Sequence, residues 1–364
     1  DHRDLHSFPT RRSSDLHRLS SACHTARLSP SPARARQFRH WHSRMDNQGC
    51  WLQPSLRRLR CSCMLGPMSP DAQSPAVPSP VNYDAPSDLM ALLERLGLGM
   101  RKKYGQNFLI NGNARRRVAA LFDVPPGGRV WEIGPGTGAM TREALLAGLL
   151  VSTFEIDHGF AEFVRSAYGE VPGFELYEGD FVKTWNKALA ASGAPALAFG
   201  NLPYNAAGAI VAALIEGGVR PPRMVFTVQK ESAQRMAARP GSKNYSAFSV
   251  LCTSMYEVHA AFDLSAGSFW PQPRVTSTVV VMTKRSSPVP YAGDRAFTGF
   301  TRACFSSRRK TLRNNLKSAG HDDASIADAC MTVRLSPDAR AETLAPEQLS
   351  ALYSTLARLP DSPV

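Results

Sequence analysis

The stretch VWEIGPGTG, residues 130–138, decides how the rest of the chain is read. A short β-rich run, Arg129–Ile133, ends in Gly134, Gly136 and Gly138, and a helix-like segment, Ala139–Leu146, follows at once. Glycines at such a turn permit positive φ and let a ligand approach the backbone closely. The helix that begins there offers unpaired N–H groups. The order G-x-G-x-G with Ala139 behind it also fits the dinucleotide fingerprint G-x-G-x-x-[G/A]. The motif therefore leaves a dinucleotide and another adenosyl ligand both open.

Working outward, the pattern keeps alternating. Leu150–Ile156, Phe174–Tyr177, Ala196–Phe199 and Met224–Val228 read as strands. His158–Tyr168, Ala206–Ile215 and Lys230–Ala238 read as helices. Strands alternating with helices imply an α/β fold with a mostly parallel sheet covered on both faces. Thr276–Thr283 (TSTVVVMT) is β-branched but has no crossover helix directly before it, so an antiparallel edge strand is expected. Beyond Pro288 the chain changes character. Ala296–Cys304, Arg309–Ser318, Ser325–Thr332 and Pro346–Leu356 predict a small helical domain. The expected division is a non-globular segment at 1–80, a Rossmann-like domain at 81–287 and a helical domain at 288–364.

Composition sets the outer limits. The 364 residues carry a net charge of +13, which suggests a polyanionic partner. No apolar run approaches the roughly 18 residues of a membrane span, so a soluble protein with no membrane partner is expected. Residues 1–80 hold 12 Arg, no Lys and five acids, together with six of the nine His. That segment has no hydrophobic period and is rich in Pro and Ser, which does not describe a packed domain. It can be read as a transit peptide, as a basic RNA-binding arm, or as non-native sequence. The opening DHRDLHSFPTRRSSDL resembles a translated sequencing adapter, and Met64, Met68 and Met90 offer starts. Cys252, Cys304 and Cys330 are widely spaced, so neither a disulfide framework nor a metal site is expected, and a reducing compartment is the plain inference.

Three further motifs carry chemistry. In FEID, residues 154–157, Glu155 falls 21 positions after Gly134 at the end of the second strand. An acid there accepts the ribose hydroxyls of an adenosine cofactor. Asp157 is the alternative, or else the N-cap of the helix at His158. In EGD, residues 178–180, Asp180 is placed to accept from an adenine amino group, or is an ordinary loop acid. FGNLPYN, residues 199–205, ends a strand in an amide, a proline and an aromatic. The Asn201 side-chain oxygen and the Leu202 carbonyl suit the two N–H groups of an exocyclic amine. Pro203 fixes φ and removes a competing donor. Tyr204 offers a stacking face for a base.

With these in place, residues 100–318 resemble the ribosomal RNA adenine dimethyltransferases that act near the 3′ end of small-subunit rRNA. The matching stretches are RKKYGQNFLIN (101–111), EIGPGTG (132–138), FEID, EGD, FGNLPYN, SFWPQPRVTST (268–278) and FSSRRKTLRNNL (305–316). The resemblance implies S-adenosylmethionine as methyl donor and two adjacent adenosines as target. It implies that Asn107 and Leu109 line the cofactor site, that Gly134 lies under the methionine moiety and that Gly136 also binds the cofactor. Glu155 then takes the ribose, Asp180 the adenine and Asn201 the reacting end. Phe269 is expected to face Tyr204 and sandwich the target base. Trp270 and Gln272 depart from the family's pattern in this loop, and Thr276 stands where relatives often carry an acid.

A flipped adenosine costs roughly a few kcal/mol to unstack. Stacking returns about 1–3 kcal/mol per base. No general base is evident, since water can take the proton after transfer. For RNA, Arg308, Arg309, Lys310, Arg313 and Lys317 are expected on one helix capped by Ser306 or Ser307, with Arg309 and Arg313 sharing a face. Arg101, Lys102 and Lys103, and then Arg115, Arg116 and Arg117, flank QNFL as further phosphate contacts. The expected partner is the assembling small ribosomal subunit, the expected protein a cytoplasmic monomer. The competing readings are a large-subunit rRNA methyltransferase conferring antibiotic resistance, a catalytically retired assembly factor, and a nicotinamide-dependent oxidoreductase.

Overall fold

The run at 129–133 forms a strand whose last four residues are all buried, as a strand covered on both faces must be. In the computed structural model, residues 76–98, 106–203 and 205–358 are described. The elements in chain order are α1 (Pro86–Arg95), β1 (Phe108–Leu109), α2 (Gly112–Ala119), β2 (Arg129–Ile133), α3 (Ala139–Leu146), β3 (Leu150–Glu155), α4 (His158–Tyr168), β4 (Phe174–Glu178), α5 (Phe181–Ser192), β5 (Leu197–Asn201) and α6 (Ala207–Glu216). There follow β6 (Arg223–Gln229), α7 (Lys230–Met236), α8 (Ala247–Met255), β7 (Tyr256–Leu264), β8 (Phe269–Trp270), β9 (Ser277–Lys284), α9 (Arg295–Cys304), α10 (Leu312–Ser318), α11 (Asp323–Thr332) and α12 (Pro346–Leu356).

Seven strands make one sheet in the order β4-β3-β2-β5-β6-β9-β7. β4, β3, β2, β5 and β6 pair in parallel, and β9 runs antiparallel to both β6 and β7. Alternate side chains of β2 divide between two cores. Trp131 and Ile133 join the cluster with Phe154 and Phe226, and Val130 joins the one with Val151 and Phe199. The sequence-level alternation therefore reads the sheet correctly, with one correction. β9 is antiparallel as expected but is not an edge strand, because β7 lies outside it. β7 escapes a period-two search because a register shift at Ala260/Phe262 breaks its alternation.

Four helices that hydrophobic patterning does not announce, α1, α2, α5 and α8, are found. Two of them are marked by their caps. Asn111 accepts from Ala114 N at the start of α2, and Asp180 from Val182 N at the start of α5. A second correction concerns the basic helix. It begins at Leu312, not Arg309, and Thr311 is its N-cap, not Ser306 or Ser307. Arg308–Lys310 lie in the preceding turn, so Arg309 and Arg313 do not share a helical face.

Helices α9–α12 enclose their own apolar cluster, closed on one side by Ala238, Tyr245 and Val250. Residues upstream of 81 also take part in the fold, since Val77 packs against the β2–β3 core. Tyr83 is 6% exposed and Leu89 1%. A start at Met90 would remove Tyr83 and split α1. Residues 1–75, with the adapter-like opening, lie outside the described residues.

Candidate active site

The carboxyl ends of β2, β3, β4 and β5 open onto one cavity of about 450 Å³. It sits where β2 adjoins both β3 and β5, so successive crossovers leave the sheet in opposite directions. Open α/β sheets bind ligands at such a switch point. Gly134, Gly136, Glu155, Asp180, Asn201 and Pro203 all line it, as do Asn107 and Leu109. Residues spread over nearly 100 positions of sequence thus meet because each closes a strand or precedes one.

The glycine turn is clasped from behind. Gly138 has φ +81°, and a Cβ there would lie 2.6 Å from the Tyr168 ring. The Tyr168 hydroxyl reaches the Gly138 carbonyl at 3.3 Å and the Tyr83 hydroxyl at 2.7 Å. Tyr83 Oη donates to the Thr137 carbonyl at 2.8 Å. Burial raises the pKa of both phenols, so both stay protonated donors.

Glu155 is the carboxylate in the cavity, and Asp157 is the helix cap. Glu155 accepts from Gly136 N at 3.1 Å and from Asp157 N at 2.9 Å. The Asp157 side chain accepts from Gly159 N and Phe160 N. Burial pushes the Glu155 carboxyl up to about 7, against the pull of those backbone donors. Asp180 lines the cavity while capping α5.

Glu132 is a site residue that the sequence motif contained but did not single out. It is 2% exposed, lines the cavity and accepts from Thr141 Oγ1 at 2.5 Å. Burial pushes it up to about 8. Its signal was an acid within a strand otherwise apolar on both faces. Neither Glu132 nor Glu155 forms an ion pair among the described residues. Two buried carboxyls without a counter-cation among the described residues, lining one cavity, fit a ligand that brings positive charge. Ile156 and Val182, 48% and 41% exposed, supply apolar surface at the same mouth.

At the opposite side Asn201 Nδ2 donates to the Asn107 carbonyl at 2.6 Å. A carbonyl only accepts, so the amide nitrogen must face it and Oδ1 is left as the acceptor. Leu202 is 1% exposed, with its N–H bound to the Thr227 carbonyl at 3.0 Å, and does not line the cavity. Tyr204, Arg101, Lys102 and Lys103 lie outside the described residues.

Three expectations are corrected here. Phe269 does not present a stacking face. It is 1% exposed and pairs with Leu109 in the β1–β8 ladder, so its ring enters the core with Val279 and Val281. Arg115 is no phosphate contact: 5% exposed, it donates to the Tyr83 and Leu109 carbonyls and pairs with Asp84 at 2.6 Å. Arg116 is bonded to Asn113, and the Arg117 guanidinium lies 3.9 Å over the Phe262 ring. In the helical region Arg313 and Lys317 both pair with Asp323, which holds that carboxyl down to about 2. A cluster of cations in sequence does not show which are solvated and which are engaged by an acid on the next helix.

A sheet of this strand order, with one antiparallel strand inserted next to its outer strand and an adenosyl-sized site at the switch point, defines a class I methyltransferase fold. The chain belongs to the ribosomal RNA adenine dimethylase family, which matches it over residues 97–358. It is 45% identical over 273 residues to the ribosomal RNA small subunit methyltransferase A of Treponema denticola, covering 73% of this chain and 93% of that protein. It is 38% identical over 248 residues to the protein of the same name from Caulobacter vibrioides, covering 67% and 92%. Among solved structures it shares its fold with a dimethyladenosine transferase from Plasmodium falciparum (TM-score 0.54, 24% identity, 66% of this chain and 94% of that one). The 23S rRNA methyltransferase ErmE also shares it (TM-score 0.51, 22% identity, 69% and 100%).

Proposed function

We propose that this protein dimethylates N6 of two adjacent adenosines in a hairpin loop near the 3′ end of small-subunit rRNA, during subunit assembly. The observation that carries it is the Asn201 amide, whose nitrogen is held on the Asn107 carbonyl and whose oxygen is left as an acceptor, in the lining of the cavity that Glu132 and Glu155 share. S-adenosylmethionine, when bound, would supply an electrophilic methyl group, which passes to the amine nitrogen as the methyl–sulfur bond breaks and the sulfur leaves as a neutral thioether. Glu132 would hold the cationic amino-acid end, Glu155 the ribose hydroxyls and Asp180 the adenine edge, with Ile156 and Val182 as apolar surface for the ring. Asn201 Oδ1 accepts one N–H of the target amine and orients the nitrogen lone pair. Pro203 shapes the lip, and Tyr204 stacks on the target base. Phe269 acts indirectly: it seats Leu109, and with it the Asn107 carbonyl that aligns Asn201. Positioning supplies most of the rate. The amine's proton leaves to water, and no side chain near Asn201 is needed as a base.

Within this reading residues 288–364 form an RNA-binding helical domain, and the protein acts as a cytoplasmic monomer. The small-subunit names of its relatives support the small over the large subunit. The test incubates the protein with labelled S-adenosylmethionine and undermethylated small subunits, with large subunits and Asn201→Ala in parallel. Dimethyladenosine from small subunits, absent with Asn201→Ala, is expected. Label confined to large-subunit RNA, or no label despite cofactor binding, overturns it.

A further inference from the structure

Trp270 does not line the cavity, yet it is joined to it through one neighbour. β1 and β8 form a two-stranded ladder separate from the seven-stranded sheet, with Phe108 opposite Trp270 and Leu109 opposite Phe269. Directly opposed residues of an antiparallel pair send their side chains to the same face. The two faces of this ladder have different surroundings. Leu109 and Phe269 enter the core that holds Val279 and Val281. Phe108 and Trp270 belong to a separate apolar cluster, with Leu89, Leu92 and Leu93 of α1 and Phe160 of α4.

Phe108 connects that cluster to the cavity. It is buried and contributes to the cavity lining. Its ring lies tilted against Phe160, with centroids 5.4 Å apart. Its Cε1 stands 3.0 Å from the point that a Cβ on Gly136 would occupy, so the ring rests on the glycine turn where residue 136 has no side chain. Gly136 in turn donates its N–H to Glu155 Oε2 at 3.1 Å. The contacts therefore run from Trp270 to Phe108, to Gly136 and to Glu155, from outside the cavity to the carboxyl within it.

Trp270 is half-buried, whereas Phe108, Phe160 and the three leucines are buried, so the indole helps close this cluster toward solvent. The backbone of the ladder does not depend on it. Ile110 N and Asn111 N donate to the Ser268 carbonyl at 2.9 and 3.4 Å, and Asn201 Nδ2 is held on the Asn107 carbonyl. Without the indole, the Phe108 ring loses its neighbour across the ladder and gains freedom to turn away from Gly136. A side chain that has to be ordered again when a ligand binds lowers the affinity for that ligand.

We propose that Trp270 is a positioning residue for the cofactor: from outside the cavity it holds Phe108 against the glycine turn and so preorganises the pocket wall. The inference rests on S-adenosylmethionine as the ligand of this cavity. It divides the ladder by function, with the Leu109–Phe269 face aligning Asn201 and the Phe108–Trp270 face serving the cofactor.

The test titrates the full chain with S-adenosylmethionine and S-adenosylhomocysteine in a calorimeter. An absence of binding to wild type overturns the cofactor reading and this proposal with it. Trp270→Ala is expected to bind both ligands about tenfold more weakly, and Trp270→Phe to stay within about twofold of wild type. Because Trp270 acts through Phe108, the double variant Trp270→Ala/Phe108→Ala should bind about as weakly as Phe108→Ala alone. On undermethylated small subunits, Trp270→Ala should raise the KM for the cofactor and leave kcat at saturating cofactor within about threefold of wild type, which a general loosening of the fold would not do. A thermal melt reports that each variant is folded, and Trp270→Leu is read in place of Trp270→Ala if the latter is not. Wild-type cofactor affinity in the folded variant overturns the proposal, as do losses that add in the double variant. A loss confined to the KM for the particle also overturns it, since Trp270 would then serve the RNA rather than the cofactor.

Discussion

At the residue scale the site depends on two acids and one amide whose surroundings set their behaviour. Asn201 works only with its nitrogen on Asn107, so Asn201→Asp replaces a hydrogen bond by a carboxylate oxygen against a carbonyl oxygen. A fall in kcat of about 10²-fold or more is expected from the role proposed for the amide at the target amine, with cofactor affinity changed far less. Equal losses in cofactor affinity and kcat would show Asn201 to be merely a wall of the cavity. Glu132 and Glu155 are pushed up to about 8 and about 7 from the usual 4.5. The folded protein then holds protons that the unfolded chain has released, so without cofactor its stability declines as pH rises from 4.5 toward 8. A cationic cofactor needs both groups ionised. Its affinity should therefore rise between pH 6 and 8, by up to about tenfold per pH unit per group, with protons released on binding. Titration calorimetry in buffers of different ionisation enthalpy measures this, and Glu132→Gln should remove the upper step. A flat profile in wild type would rule out the carboxyls as the linked groups.

Elements bring these residues together through contacts that tolerate little change. β5 passes so close to β2 that a Cβ on Gly200 would lie 2.3 Å from the Ile133 carbonyl oxygen. Backbone cannot give way as a side chain would, so Gly200→Ala is expected to cost about 1–3 kcal/mol in denaturant unfolding and to loosen cofactor binding as Asn201 shifts. A variant as stable as wild type would mean the strands separate freely. At the other end, Thr311 Oγ1 accepts from Asn314 N at the start of α10. Thr311→Ala should lower stability by about 1 kcal/mol, whereas Ser307→Ala should not, because Ser307 is not the cap. Comparable losses in the two would return the helix start to the position expected from sequence.

On the scale of the whole molecule, the segment before α1 supports the cavity at the strand ends although none of its described residues lines it. Tyr83 ties it to the glycine turn, and Arg115 anchors it from α2 through the Tyr83 carbonyl and Asp84. Tyr83→Phe leaves the buried Thr137 carbonyl without its donor. A stability loss of about 1–3 kcal/mol with weaker cofactor binding is expected, and an unaltered thermal midpoint would show the clasp to be incidental. The strand ends, the glycine turn, the acid at Glu155 and the Asn-Leu-Pro motif were legible in the sequence. Each depends on local geometry: a period of two, a turn that needs glycine, a polar residue at the lip of an apolar run. Tertiary structure alone decided that Phe269 faces the core, that β7 caps the sheet outside β9, that Arg115 is a strut and that Arg308 is engaged by Glu342. Those outcomes depend on partners between 13 and 160 positions away. A cation or an aromatic has the same local signature whether it meets water, an acid or a core, and only the folded chain brings the partner that decides.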